Sequence, residues 1–441
     1  MGSHPVISIK HPINNMLYQL FDWLKQTGIK IPGGALFQFI TFRVLLAVII
    51  SLVISMMFGR RLINYLRNLQ VGESVRELGL EGEQQKKGTP TMGGIIIILA
   101  ILIPTLLLAN LNKAYIRLMI FSTLWMGMIG FIDDYLKLHA KKIAQSQGIN
   151  YKKGDKDGLA GWFKILGQVV LGFVVAATLY FNSNTKVWRE FVGDTKPTDT
   201  IGLKRVILDG KEKLFVEARE PITTIPFVKN HEFNYSKLLP SALRGATWIL
   251  YIVIVIFIIT AVSNGANITD GIDGLATGVS AVIGVCLGVF AYASGNLRFA
   301  EYLNIMYIPN LGELSIFIGA LIGACLGFLW YNAYPATVFM GDTGSLTLGG
   351  IIAALAVIVR KELLIPIFCG VFLVENISVV LQVSYFKYTK RKFGEGRRIF
   401  LMSPLHHHYQ KLGYNESKIV TRFWIVTILC VVFAIVTLKI R

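Results

Sequence analysis

The chain has 441 residues, 54% of them hydrophobic and only 16% charged, with a mean hydropathy of +0.57; soluble domains carry roughly 25% charged residues. That composition excludes an ordinary soluble enzyme. The formal net charge of +18 would suggest nucleic acid in a soluble protein. Here the basic residues lie between apolar segments, where they set orientation and attract anionic headgroups or phosphates, so membrane lipids rather than nucleic acid are the expected partners.

Residues 1–37 are mixed polar and amphipathic, without the basic start and apolar core of a cleavable signal peptide, and are expected to form an N-terminal extracytoplasmic segment. The Gly-Ser-His start reads as a leader of about 15 added residues, with Met16 the expected native start. A spanning helix needs about 20 apolar residues. Ten such stretches follow: 38–58, 92–109, 114–132, 163–181, 246–263, 275–294, 313–330, 345–359, 363–385 and 421–440. The expected fold is therefore an all-α polytopic membrane protein with helices one to four over 38–181 and five to ten over 246–441. Between them lies one long polar insertion, 182–245.

Basic residues concentrate in the connections from odd to even helices, for example Arg60, Arg61, Arg67, Arg76, Lys86 and Lys87 after helix one. By the positive-inside tendency these connections are cytosolic and both termini are outside. The 182–245 insertion is also basic but is long enough to escape that rule, and is expected outside. Within it, two strands flanking Asp209-Gly210 read as a β-hairpin. Gly319, Gly323 and Gly327 form a ridge on which another helix can pack closely. Packing within one subunit is the expectation, and a homodimer is the alternative. Cys286, Cys325, Cys369 and Cys430 are far apart in apolar runs, without metal-ligand or disulfide spacing, and read as packing residues.

Five polar motifs fall on the cytosolic side of this scheme. Lys86-Lys87-Gly-Thr-Pro-Thr-Met-Gly-Gly94 opens helix two; its lysines, the Thr91 hydroxyl and turn N–H groups suit an anion. Asp133 and Asp134 end helix three, where paired carboxylates are costly unless a cation or proton transfer offsets the penalty. Lys137 and Lys141, four residues apart, can hold phosphates from one helical face. Asn264, Asn267, Asp270 and Asp273 lie on a turn after helix five that lacks the terminal glutamate of an EF-hand, so a phosphate, sugar, base or Mg²⁺ site is the better reading.

Asp342 stands between glycines just before helix eight, with Ser345 available as the helix cap. Ser403-Pro-Leu-His406-His407-His408 precedes helix ten. Adjacent histidine side chains diverge and no cysteine is near, so phosphate contact is a better reading than zinc. Together the motifs suit a Mg²⁺-dependent phosphoryl-type transfer between a water-soluble pyrophosphate donor and a lipid acceptor.

The same motifs resemble those of the polyprenyl-phosphate N-acetylhexosamine-1-phosphate transferases from about residue 40 to 440, apart from the insertion. Ser-Pro-Leu-His-His-His is similar to the phospho-N-acetylmuramoyl-pentapeptide transferase branch in particular. The resemblance implies a bacterial inner-membrane enzyme of peptidoglycan biosynthesis, with UDP-MurNAc-pentapeptide and undecaprenyl phosphate as substrates, lipid I and UMP as products, and Mg²⁺ as cofactor. It implies metal binding by Asp342 and Asn267, an essential Asp133–Asp134 pair near the lipid phosphate, and a histidine site near the sugar phosphate, with His406 catalytic beside His407 and His408. Gly271, Ile272, Asp273, Asn332 and Phe339 resemble a uridine pocket, with Lys137 and Lys141 beside it. Lys87, Thr91, Asn264, Asp270 and Ser345 complete the expected substrate contacts. The rival reading is a sister transferase that uses UDP-GlcNAc. A secondary transporter would instead carry its charges at mid-membrane in broken, repeated helices.

Overall fold

Helices with no polar face must satisfy their backbone internally and pack against one another or lipid. The computed structural model describes residues 16–17, 34–68, 86, 88–146, 158–190, 201–208, 211–218, 221–227, 232–303 and 305–439. Arg76, Lys87, Asp209, Gly210, most of the N-terminal segment and much of 139–158 lie outside the described residues. The helices are α1 (Ile40–Asn68), α2 (Gly94–Leu108), α3 (Ala114–Ser146), α4 (Gly161–Phe181), α5 (Thr247–Thr269), α6 (Leu275–Gly295), α7 (Leu314–Asn332), α8 (Gly341–Ile358), α9 (Gly370–Phe393), α10 (Leu405–Lys411) and α11 (Glu416–Val436).

Among the described residues eight helices are long and apolar enough to cross a membrane, or nine if Glu362–Phe368 and α9 form one broken span bent by 80°. The chain is thus an all-α polytopic membrane protein. All ten expected stretches are helical, with ends that shift, as where α5 runs on to Thr269 rather than ending at 263, and with three larger departures. α2 has 15 residues, about 22 Å at 1.5 Å per residue, short of a full bilayer core. The ninth stretch is broken at Cys369 rather than straight. α3 runs on to Ser146, because Leu136 to Lys142 are mostly good helix formers, so Asp133 and Asp134 lie inside a helix and not at its end.

α7 packs along α1 through the glycine ridge: Cβ atoms at Gly319 and Gly323 would meet the carbonyl oxygens of Val44 and Val48 at 2.9 and 2.4 Å. The ridge is used within the subunit. α8 is the central helix, with nearly every residue after Asp342 buried, and it packs on α3 and α5. Its two ends are chemically different. Asp342 is in its first turn, while Arg360, Lys361 and Glu362, all buried, follow its last.

That second end anchors the insertion. Strands Val187–Glu190, Ile201–Leu208 and Lys211–Ala218 form an antiparallel sheet in which the third strand is central, the last two being the expected hairpin. A second pair, Ile222–Thr224 with Glu232–Asn234, docks where Thr224 N donates to Arg360 O at 3.0 Å and Tyr235 OH to Glu362 Oε1 at 3.0 Å. The sheets and Asp342 therefore lie at opposite ends of one helix. The four cysteines are free, three buried and one half-buried.

Candidate active site

The connections preceding α2, α4, α6, α8 and α11 meet at one end of the bundle. Their first contacts are backbone to backbone: Phe339 N donates to Pro90 O at 2.8 Å, and Gly93 and Gly94 N donate to Phe339 and Met340 O, each at 2.9 Å. The Pro90–Gly94 segment is thereby fixed to the segment that delivers Asp342.

Asp133, Asp134 and Asp342 converge there, with carboxylate oxygens within 4.8 Å of one another. Asp134 acts as the cap of α8, accepting from Asp342 N at 3.1 Å, Thr343 N at 2.9 Å and Thr343 Oγ1 at 2.6 Å. This carboxylate offsets the partial positive charge of the helix start. It also explains why α8 begins before Ser345: that residue is inside the helix, its hydroxyl donating to Gly341 O at 3.0 Å, and caps nothing. Gly341 has φ +71°, and a Cβ there would lie 2.6 Å from Asp134 Oδ2. A side chain is excluded on both counts.

Asp133 faces the other way. It accepts from Leu159 N at 2.8 Å, and its Oδ2 is 2.6 Å from Lys137 Nζ and 2.9 Å from Lys164 Nζ. Both lysines also reach Asp342 Oδ2, at 3.0 and 2.5 Å. Asn267 Nδ2 donates to Asp342 Oδ1 at 2.9 Å and to Ser345 Oγ at 2.8 Å. Lys164 belongs to no motif. Its signal in the sequence is a single cation one turn into an apolar span, where a charge is expensive without a partner. Lys141 is half-buried one turn beyond Lys137 on α3.

A second network lies beside the first. Lys86 Nζ sits 2.8 Å from Asp273 Oδ1 and 2.6 Å from Glu416 Oε1. Burial would lower the Lys86 pKa, but Glu416 and Asp273 outweigh it and hold the ammonium above its ordinary range. Asp273 Oδ2 accepts from Ala336 N at 2.9 Å. Asn332 is buried: its carbonyl accepts from Gly274 N and Thr277 Oγ1, and its amide donates to Val338 O. Ile272 is buried, whereas Thr91, Asp270 and Phe339 are half-buried and Gly271 is exposed. Asn264 is turned to Gln168 Oε1, 3.0 Å away.

The three histidines stand on α10. Its start is held by Glu375 of α9, which accepts from Leu405 N at 2.8 Å and His406 N at 3.2 Å. His406 is fully buried, its Nδ1 3.2 Å from Glu375 Oε2. A Cβ on Gly271 would clash with His406 Nε2, so the glycine is what lets the 270–274 turn touch the imidazole, while Asn264 and Asn267 lie within the last turns of α5 and not on the turn expected from the sequence. His407 pairs with Gln410 at 2.7 Å, and His408 Nδ1 accepts from Leu401 N at 3.2 Å.

The glycosyl transferase family 4 profile matches residues 116–360, more than half of the chain. Signature 1 of phospho-N-acetylmuramoyl-pentapeptide-transferase matches residues 86–98, the turn that docks against Phe339. A protein of that name from Flavobacterium psychrophilum is 59% identical over 429 residues, covering 97% of this chain and all of the relative. Namesakes from Parabacteroides distasonis and Porphyromonas gingivalis are 53% and 49% identical with the same coverage. The chain belongs to the phospho-N-acetylmuramoyl-pentapeptide transferase family. A sister reading as a UDP-GlcNAc enzyme is not favoured, since both the signature and these relatives carry the muramoyl-pentapeptide name. For a phospho-N-acetylmuramoyl-pentapeptide transferase the acidic cluster is chemically apt. Three carboxylates against two ammonium groups leave a net charge of −1, and clustered hard oxygen donors are compatible with a divalent cation.

Proposed function

We propose that the chain transfers phospho-MurNAc-pentapeptide from UDP-MurNAc-pentapeptide to undecaprenyl phosphate, releasing UMP and forming lipid I for peptidoglycan biosynthesis. The observation that carries the assignment to a site is the convergence of Asp133, Asp134 and Asp342 with Lys137 and Lys164 in a chain of this family. An oxygen of the lipid phosphate bonds to the sugar-bearing phosphorus of the donor, and that phosphorus releases the bridging oxygen with UMP. Lys137 and Lys164 hold the pyrophosphate. Asp133 takes the acceptor's proton, which needs little base strength because a phosphate monoester's second pKa is about 6. Asp134 keeps the start of α8, and so Asp342, in place. Mg²⁺ would be held by Asp342 with its neighbours Asp133, Asp134 and Asn267, and would neutralise charge on the pyrophosphate. The Asp273, Asn332 and Phe339 region receives the nucleoside, and α10 faces the sugar phosphate.

Charge supports a cytosolic site in the bacterial inner membrane: the five connections that build the site include the Lys- and Arg-rich ones, and the donor is water-soluble. The 182–245 insertion then lies outside. For the polyprenyl tail we assign the cavity of about 510 Å³ between α9, α10 and α11, lined by Val371, Val374, Leu405, Ile419 and Val426 with Arg422 as its charged residue.

The test is purified protein with undecaprenyl phosphate, Mg²⁺ and either UDP-MurNAc-pentapeptide or UDP-GlcNAc, following UMP. Release from the pentapeptide donor alone, abolished by Asp342→Asn and by EDTA, is expected. Release from UDP-GlcNAc alone would overturn the donor assignment, and EDTA-resistant turnover the role of the metal. Omitting the lipid separates two routes: stoichiometric UMP release would mean that an aspartate first forms a phospho-sugar intermediate, and none would mean direct attack.

A further inference from the structure

Glu416, the first residue of α11, lies outside every motif, yet it is only 6% exposed and joins segments far apart in the chain. Its Oε1 accepts from Lys86 Nζ at 2.6 Å and from Asp273 N at 2.7 Å. Lys86 reaches Asp273 Oδ1, Asp273 Oδ2 accepts from Ala336 N, and Asn332 ties Gly274 and Thr277 to Val338. Four segments around residues 86, 270–277, 332–338 and 416 thus share one buried network. Glu416 is the member whose position is set from outside, by a membrane helix whose start is capped where Asn415 Oδ1 accepts from Ser417 N at 3.0 Å.

We propose that Glu416 is a positioning residue for donor binding: it fixes Lys86 and the backbone of Asp273, and through them the shape of the pocket for the nucleoside diphosphate. The inference rests on the reading that this region receives the nucleoside. Glu416 touches no reacting group and lies in a different network from the three aspartates. Its loss acts on donor affinity and leaves the chemical step and the lipid site alone. A carboxylate is required because one oxygen accepts from both a cation and an amide, and such charge-assisted bonds are roughly twice as strong as neutral ones.

The experiment is steady-state kinetics of the full chain with UDP-MurNAc-pentapeptide and undecaprenyl phosphate, alongside calorimetric binding of UMP. Glu416→Gln is expected to raise the donor KM and the UMP Kd about tenfold, with kcat and the lipid KM within twofold and the apparent Tm within about 2 °C. Glu416→Asp, which keeps the charge but loses reach, should fall between. Lys86→Met combined with Glu416→Gln should be no worse for donor KM than Lys86→Met alone, because the two act as one unit. An unchanged donor KM, or a parallel loss of kcat, both KM values and Tm, would overturn the proposal. Wild-type protein that turns over without binding UMP measurably would overturn the nucleoside reading of the pocket, and absence of any turnover the function itself.

Discussion

Asp133 and Asp134 are sequence neighbours one helical step apart, and the fold gives them different partners. Asp133 meets two ammonium groups and one N–H, whereas Asp134 meets the exposed N–H groups and a hydroxyl at the start of α8. Neutralising Asp133 breaks two direct ion pairs, with Lys137 and Lys164, whereas Asp134 is held by backbone N–H groups and a hydroxyl. Asp134→Ala removes a helix cap, worth about 1 kcal/mol, whereas Asp134→Asn keeps a capping side chain. Asp133→Asn is therefore expected to lose UMP release at least a hundredfold. Asp134→Ala should lose activity and lower the Tm to about 1–2 °C below that of Asp134→Asn, both read on the same preparations by coupled UMP assay and thermal unfolding. Equal Tm values would show that the cap is not what Asp134 supplies. Much of this constellation was legible: three aspartates, Lys137 and Asn267 stood in motifs. Lys164 and Glu416 were not, because each is one charged residue near a helix start whose partners lie 31 to 330 residues away. Asn332 was legible as important, but not that its buried amide ties its own loop to Gly274 and Thr277.

At the scale of elements, apolar runs revealed where helices lie, while their ends depended on tertiary contacts the runs do not encode. α8 starts at Gly341 because a carboxylate from α3 caps it, and the break at Cys369 leaves no signal in hydropathy. The glycine ridge of α7 was legible as a packing surface, but not that α1 is its partner. Between these helices the backbones are nearly in contact, and Ser51 Oγ donates to Ala320 O at 2.7 Å. A leucine at Gly323, whose Cβ alone would sit 2.4 Å from Val48 O, has to push α1 away. Overpacking of this kind costs about 1–3 kcal/mol. Gly323→Leu is expected to lower the apparent Tm in detergent by about 1–3 °C, while Gly288→Leu, where Ile318 Cγ2 is 3.3 Å away, should cost less. The reverse order would mean that close α1–α7 contact is not limiting.

For the molecule as a whole, the reaction proposed here joins a water-soluble donor to a lipid, so two routes must end at one cluster. The polar network around Asp273 opens on the side of the connecting loops, and the apolar cavity of about 510 Å³ lies between α9, α10 and α11. α10 belongs to both: His406 abuts Gly271, while Leu405 and Tyr409 line the cavity. This division predicts separable kinetics. Val426→Trp adds bulk at an exposed position of the cavity lining and displaces a few methylenes of bound tail, each worth about 0.8 kcal/mol. The KM for undecaprenyl phosphate should rise about tenfold with the donor KM unchanged, the converse of the pattern expected for Glu416→Gln. A short-chain polyprenyl phosphate, which does not need the whole cavity, should be affected less. If Val426→Trp instead raised the donor KM, or left both values alone, the tail would have to lie along another face of the bundle, and α10 would serve the donor only.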